Sequence, residues 1–279
     1  MSATPPPPET WRDLLSRVPD LPPAKLRWWL SDRFDCPLTA LPLDSRPTPE
    51  DKHLFLDAVS RLRRHEPVQY ICGKAPFMDF EVRVTPDVLI PRPETEQLVD
   101  RVLSQFPASP LKVLDVGTGS GCIAIALKRA RPAWHVHACD VSENALRIAR
   151  ENARILGTDI SFSRSDLLHS FQGNTMEIIL ANLPYIGEAE REFLPPEVRE
   201  HEPPQALFAG ENGTALVVAL IRQARHVLRP GGQLYLETGE QQTAVYQHTA
   251  ASLGWSINSF CDLAGRERFH RLIKPAAPR

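Results

Sequence analysis

Two short stretches of this 279-residue chain hold side chains whose types and spacing could do chemistry. The first is Asn182-Leu183-Pro184-Tyr185, which directly follows the apolar run 176–181. A planar nitrogen, as in an amide or an aromatic amine, has its lone pair delocalised into a π-system and is a poor nucleophile. Two acceptors placed to take both of its N–H groups hold that lone pair toward an incoming electrophilic methyl group. The Asn182 side-chain oxygen and the Leu183 backbone carbonyl supply such a pair. Pro184 biases Leu183 toward an extended conformation and so presents that carbonyl outward. Tyr185 can lie against the planar group. Transfer then rests on proximity and orientation, and a general base matters less because the proton can leave after the methyl arrives. An N-x-P-Y tetrapeptide is also simply a good β-turn. Its place at the end of an apolar strand favours the chemical reading.

The second stretch is Asp115-Val116-Gly117-Thr118-Gly119-Ser120-Gly121, at a strand-to-helix turn. Glycines are needed where backbone must turn tightly and approach a ligand without a Cβ in the way. The spacing is G-x-G-x-G, not the G-x-G-x-x-G of a pyrophosphate-binding turn. Asp140 ends the next strand, where a carboxylate can accept hydrogen bonds from both ribose hydroxyls. Dinucleotide sites share that feature, so it points to a nucleoside ligand without naming it. Asp166 follows the third strand, where an adenine edge would sit, although a loop or capping carboxylate reads equally well there.

The elements that must position these residues form an alternating pattern. From Lys112 onward, strands at 113–116, 135–139, 160–163, 176–181 and 233–237 alternate with helices. Those helices fall at 120–130, 143–156, from 216 to about 228, and from about 242. Two further strands follow, around 257–260 and 268–273. The predicted fold is a doubly wound parallel α/β sheet. Ser142 suits the N-cap of the helix 143–156, and Gly157 its C′ position. Ahead of the sheet, residues 11–72 read as a small helical domain. Its clearest helix starts at Thr48-Pro49, with Leu54, Ala58 and Leu62 on one face and Phe55 and Val59 beside it. Trp28 and Trp29 read as packing residues. Residues 73–90 have the period-two pattern of a β-hairpin linker, and the catalytic domain is expected over 91–279. The Pro5–Pro8 run predicts a disordered tail at 1–10.

Composition narrows the class. A formal net charge of −2, from 32 basic and 34 acidic residues, argues against a strongly basic nucleic-acid-gripping surface. Arg61, Arg63 and Arg64 read as a solvated helix face rather than a basic patch. The five cysteines have no zinc-ligand spacing and fit a reducing compartment, with Cys122 and Cys139 as small core residues. The N-terminus lacks an apolar signal-peptide core, and no apolar run approaches the ~20 residues of a membrane span. A cytoplasmic protein is expected.

Assembled in order, these segments resemble the release-factor glutamine methyltransferases. The resemblance runs from about Glu66 to Lys274. It is carried by Glu66 to Tyr70, Leu89 to Glu96 (L-I-P-R-P-E-T-E), Asp115 to Gly121, Asn182 to Ile186 and Glu202 to Gly210. Glu237-Thr238-Gly239 with Gln241, and Asp262 to Arg268, add to it. The resemblance implies a class I S-adenosylmethionine-dependent methyltransferase fold with a small N-terminal helical domain that docks a class I peptide chain release factor. It implies S-adenosyl-L-methionine as methyl donor, leaving S-adenosyl-L-homocysteine, and the side-chain nitrogen of a Gly-Gly-Gln glutamine as acceptor. Gly117, Thr118, Gly119, Ser120 and Gly121 would hold the methionine part and Asp140 the ribose. Asp166 and Leu167 would flank the adenine. Asn182, Leu183, Pro184 and Tyr185 would bind the glutamine, with Asn182 also at the cofactor, while Arg92 and Thr95 would help close the cofactor pocket. The family pattern is N-P-P-Y, and Leu183 replaces its first proline; the acceptor carbonyl belongs to the backbone, so leucine can still supply it. Rival readings are a glutamine methyltransferase of a ribosomal protein, an adenine-N6 methyltransferase of nucleic acid, and an inactive cofactor-binding protein. Arg92-Pro93-Glu94-Thr95 favours the release-factor branch. Neither a target-recognition region nor a basic face for sequence-specific nucleic-acid binding is visible, and no membrane partner is expected.

Overall fold

The computed structural model describes residues 9–276. The tail expected to be disordered at 1–10 lies, for residues 1–8, outside the described residues, while Thr10 caps the first helix. The described residues form two compact units, one of residues 9–73 with 195–201, the other of residues 74–194 with 202–276.

In the first unit four helices follow one another: α1 (Trp11–Ser16), α2 (Pro23–Arg33), α3 (Pro49–Arg63) and α4 (Val68–Cys72). Thr10 with Asp13 and Thr48 with Asp51 close capping boxes that satisfy otherwise orphaned N–H groups. The helices enclose an aromatic cluster in which Trp11 lies edge-on to Phe34 and Phe55, with centroids 5.5 and 5.7 Å away. Trp29 belongs to this core and Trp28 packs on it. The buried face of α3 is Phe55, Ala58, Val59 and Leu62, whereas Leu54, expected on that face, is 38% exposed. The apolar stripe is therefore turned by one residue toward the aromatic cluster. Arg61 pairs with Glu66, Arg63 with Asp20, and Arg64 donates to the Ser60 hydroxyl, so the trio is engaged along the helix surface.

The second unit opens with the hairpin β1 (Lys74–Phe77) and β2 (Phe80–Arg83), paired antiparallel. Residues 84–90 are irregular, although Val88 and Ile90 are buried, so the strand-like run expected there is a packed connection. Then come α5 (Pro93–Gln105), β3 (Lys112–Val116), α6 (Cys122–Ala130), β4 (His135–Asp140), α7 (Glu143–Ile155) and β5 (Ser161–Arg164). These are followed by β6 (Met176–Asn182), α8 (Pro196–His201, part of the first unit), α9 (Ala215–Ala224) and β7 (Leu228–Glu237). The chain closes with α10 (Thr243–Ser252), β8 (Ser256–Cys261) and β9 (Glu267–Ile273). The sheet has seven strands in the order β5-β4-β3-β6-β7-β9-β8. The first five of these are mutually parallel, and β9 and β8 add an antiparallel edge.

Two helix boundaries differ by more than one residue from expectation, and β7 starts at Leu228 rather than at 233. The helix expected at 120–130 starts at Cys122, because Gly121 sits in the left-handed region at φ 84°. A Cβ there would come within 3.1 Å of the Ala149 side chain, so glycine lets α6 approach α7. The helix expected to run to about 228 ends at Ala224, because Leu228 already pairs with Met176 in the sheet. Ser142 and Gly157 cap α7 as expected.

Strand burial follows from the layers. Ile178, Ile179, Leu180 and Ala181 of β6 are fully buried, as a parallel strand covered on both faces must be. On one face Leu114, Val116, Ile179, Ala181, Leu234 and Leu236 pack against Val217, Leu220 and Ile221 of α9 and Tyr246 of α10. Each such Leu or Ile contributes roughly 1.5–3 kcal/mol.

One buried amide ties the hairpin to the glycine turn. Asn152 of α7 accepts from the Arg83 N–H (2.8 Å) and donates to the carbonyls of Arg83 (3.0 Å) and Ser120 (2.8 Å). An alanine there strands one buried and two part-buried backbone groups, together costing about 3 kcal/mol at roughly 1 kcal/mol each. Asn152→Ala is expected to lower stability by about 3 kcal/mol, seen in urea titration as a lower midpoint with unchanged slope.

Candidate active site

Strands β3, β4, β6 and β7 are parallel neighbours, so the turns at their C-terminal ends share one edge of the sheet. A cavity of about 370 Å³ opens there. Its wall takes Gly117, Thr118, Gly119 and Ser120 from the turn after β3, and Asp140 from the end of β4. Asp166 and Leu167 come from the turn after β5, and Asn182, Leu183 and Pro184 from the turn after β6. Arg92 and Thr95, at the start of α5, complete the predicted set. Two predicted residues do not line it. Gly121 serves the helix contact described above, and Tyr185 lies beside the cavity with its backbone oxygen held by Gln242 Nε2 at 2.8 Å.

The glycine turn is held by hydrogen bonds that leave little choice of conformation. Gly117 and Gly119 have φ 72° and 55°, the region that favours glycine. The N–H groups of Gly117 and Thr118 both donate to the Cys139 carbonyl, at 2.9 and 3.0 Å. A Cβ on Gly117 would fall 2.7 Å from Leu183 Cδ2, so the leucine side chain occupies the space glycine leaves. Leu183 is buried in the sheet core. Asp140 is clamped: Gly119 N–H donates to Oδ2 (3.0 Å) and Ser142 N–H to Oδ1 (2.9 Å). Burial nevertheless raises its pKa, against the pull of those backbone donors. A carboxylate fixed through one lone pair on each oxygen still offers the others to hydroxyl donors. That acceptor chemistry, with the apolar walls of Val88, Ile123 and Leu216, fits a nucleoside carrying a ribose.

Arg92 and Thr95 do more than border the cavity. Arg92 is ion-paired to Glu202, whose carboxylate is buried and also accepts the Ile90 N–H at 3.3 Å. Thr95 Oγ1 accepts from Asn182 Nδ2 (2.9 Å) and donates to Glu237 Oε2 (2.8 Å). The Asn182 amide thus spends its N–H₂ end on Thr95, which directs its oxygen to the opposite side. Burial raises the Glu237 carboxyl to about 7, opposed by the Thr95 hydrogen bond and by Arg268. Burial likewise pushes the Tyr185 phenol to about 12, with Glu237 adding to the shift.

Residue-by-residue reading missed part of this set. Glu202, Glu237 and Gln242 were visible only inside or beside motif segments, with no role attached. The segment after Glu202 enters the cavity wall through Pro203, Gln205, Ala206 and Phe208. Phe208 is held by a parallel bridge to Ile186 and by the Arg191 guanidinium 4.0 Å above its ring. Buried carboxylates have no local pattern, so only burial reveals them. Among the described residues there is no cluster of metal-ligating side chains and no helix long and apolar enough to cross a membrane.

Residues 9–73 match the PrmC N-terminal domain and residues 95–194 the methyltransferase small domain. The release factor glutamine methyltransferase of Enterococcus faecalis is 41% identical over 227 residues, covering 81% of this chain and 82% of that protein. This chain belongs to the release factor glutamine methyltransferase family. The ribosomal protein L11 methylase of Lactobacillus delbrueckii subsp. bulgaricus is 25% identical, with a TM-score of 0.50 over 66% of this chain and 80% of that one. A Pyrococcus furiosus methyltransferase, 17% identical, shares the fold with a TM-score of 0.56 over 78% of this chain and 98% of that one. The catalytic unit has the class I S-adenosylmethionine-dependent methyltransferase fold.

In this family frame the carboxyl beneath the glycine turn sets a pH dependence. Asp115 is fully buried, accepts from Thr118 Oγ1 at 2.6 Å, and burial raises its pKa to about 7. Between about pH 4 and 7 the folded protein keeps a proton that the unfolded chain has released, so stability falls as pH rises through that window. The melting temperature is expected to drop between about pH 5 and 7.5, and to drop less in Asp115→Asn. Equal slopes in the two proteins, measured by calorimetry, would refute this.

Proposed function

We propose that the protein transfers a methyl group from S-adenosyl-L-methionine to the side-chain nitrogen (N5) of the glutamine in the Gly-Gly-Gln motif of class I peptide chain release factors, and so modulates translation termination. The observation that carries this reading is the hydrogen bond from Asn182 Nδ2 to Thr95 Oγ1, which leaves the side-chain oxygen of this cavity-lining residue as an acceptor. Membership of the release factor glutamine methyltransferase family supports it.

The donor, when bound, supplies an electrophilic methyl carbon on a sulfonium. Gly117 to Ser120 would line its methionine part, Asp140 would accept from the ribose hydroxyls, and Asp166 and Leu167 would flank the adenine. Asn182 Oδ1 and the Leu183 carbonyl accept the two N–H groups of the substrate amide, which turns the nitrogen lone pair toward the methyl. Each of those hydrogen bonds is worth about 1 kcal/mol in water-exposed terms and more in a shielded cavity. Holding the nitrogen in line removes the orientational cost of a bimolecular encounter. Pro184 stiffens the turn, and Gln242 fixes it by donating to the Tyr185 carbonyl while accepting the Gly239 N–H at 3.1 Å. The helical unit docks the release factor, and the reaction takes place in the cytoplasm.

A purified class I release factor incubated with the enzyme and S-adenosyl-L-methionine is expected to gain a single methyl on that glutamine, read by peptide mass spectrometry. Asn182→Ala is expected to lower the rate by about 10²–10³. Wild-type enzyme that binds the donor but leaves this glutamine unmodified would overturn the assignment.

A further inference from the structure

An amide and a hydroxyl are both ambiguous, since each can donate or accept. A chain of the two, Asn182 to Thr95, therefore has no polarity of its own. A carboxylate breaks the ambiguity because, when ionised, it can only accept. Glu237 stands opposite Asn182 in the parallel register of β6 and β7, and Thr95, on the first turn of α5, bridges the two. Thr95 is buried and Glu237 is 1% exposed. With its single proton given to Glu237, Thr95 Oγ1 has only lone pairs left for Asn182. The Asn182 amide must then turn its nitrogen inward and its oxygen outward.

We propose that Glu237, acting through Thr95, is the positioning residue that sets the acceptor polarity of the Asn182 amide, and that the site works only while Glu237 is ionised. The inference rests on the reading of Asn182 Oδ1 as the acceptor for the substrate amide. When Glu237 takes up a proton from water, its O–H donates to Thr95 Oγ1. The Thr95 proton is then free to turn to Asn182, the stable arrangement has the asparagine oxygen facing Thr95, and its N–H₂ faces the cavity. Donor then meets donor, and the substrate amide is not held.

The groups around Glu237 favour titration in the working range. Burial raises its carboxyl to about 7, and Glu94 on α5 raises it further. Thr95, Arg268 on β9 and Arg92 before α5 pull it down. Tyr185 and Cys122 also sense the Glu237 charge. As pH rises through this pKa the polarity becomes correct, so turnover increases with pH.

The test compares kcat and KM for a Gly-Gly-Gln peptide from about pH 5.5 to 9, together with S-adenosyl-L-methionine affinity by calorimetry. The proteins are wild type, Glu237→Gln, Thr95→Val, Thr95→Ser and Asn182→Ala. Wild-type kcat is expected to fall as pH drops below about 7. Glu237→Gln, which can donate to Thr95, is expected to lose that acidic limb and to have kcat about tenfold or more lower at high pH. Thr95→Val is expected to lose as much, and Thr95→Ser to recover within about threefold of wild type, while donor affinity stays nearly unchanged in Glu237→Gln, whose side chain does not line the cavity. Serine and valine variants equally impaired would mark a packing role and overturn the relay, even if Glu237→Gln fails to fold. A Glu237→Gln enzyme with wild-type kcat and an intact acidic limb would also overturn it, and if Asn182→Ala is inactive the reading of Asn182 survives alone. An active Asn182→Ala enzyme would overturn both.

Discussion

The site depends on one constraint of sheet geometry, the parallel pairing of β6 with β3 on one side and β7 on the other. Parallel strands carry their C-terminal ends to the same edge, and a ligand crevice forms where the connections depart in opposite directions. Here β4 and β5 extend the sheet one way from β3, while β6 and β7 extend it the other. The glycine turn after β3 and the Asn182 turn after β6 are consequently immediate neighbours. Their contact is close enough that Leu183 fills the space beside Gly117. A slip of one residue in this register would exchange the buried and exposed faces of β6 and move Asn182 off its position opposite Glu237.

The edge is also where the fold keeps its most expensive groups. Asp115, Glu202 and Glu237 are all buried, and Asp140 is largely so. Burying a carboxylate is costly unless it is paired or hydrogen-bonded. Glu202 meets Arg92, Glu237 meets Thr95, and Asp140 takes two backbone N–H groups. For Asp115 and Glu237 these partners do not cancel desolvation, which raises both to about 7. A fold selected for stability alone would replace such groups with apolar ones. Their presence at or behind this edge of the sheet marks stability traded for a polar, oriented site.

Leu183 shows how a departure from a family motif is absorbed. Proline would restrict φ and remove an N–H, whereas leucine brings a side chain that must go somewhere. It goes into the core beside Gly117, joining Val116 and Ala181. Packing thereby supplies part of the restraint that the ring would have given. Gln242, which holds the Tyr185 carbonyl, the Gly239 N–H and the Tyr246 hydroxyl, supplies more from the other side of the turn.

The sequence by itself determined the alternation of strands and helices, and with it the parallel sheet. Apolar runs such as Ile178 to Ala181 and caps such as Thr48 and Ser142 are local signals, set by burial and by backbone hydrogen-bonding needs. The residues of the glycine turn, Asp140 and Asn182 were legible for the same reason, because each sits at the end of a strand. Local reading failed where the outcome depended on a distant partner. The end of α9 was decided by Leu228 pairing with Met176, and the buried face of α3 by aromatic rings from α1 and α2. The close approach of α7 at Gly121 is likewise a tertiary contact that the local pattern does not show. The polarity of Asn182 belongs to this class as well. Residues 95, 182 and 237 are far apart in the chain, and a hydrogen bond leaves no periodicity in sequence, so only the tertiary fold brings the three together.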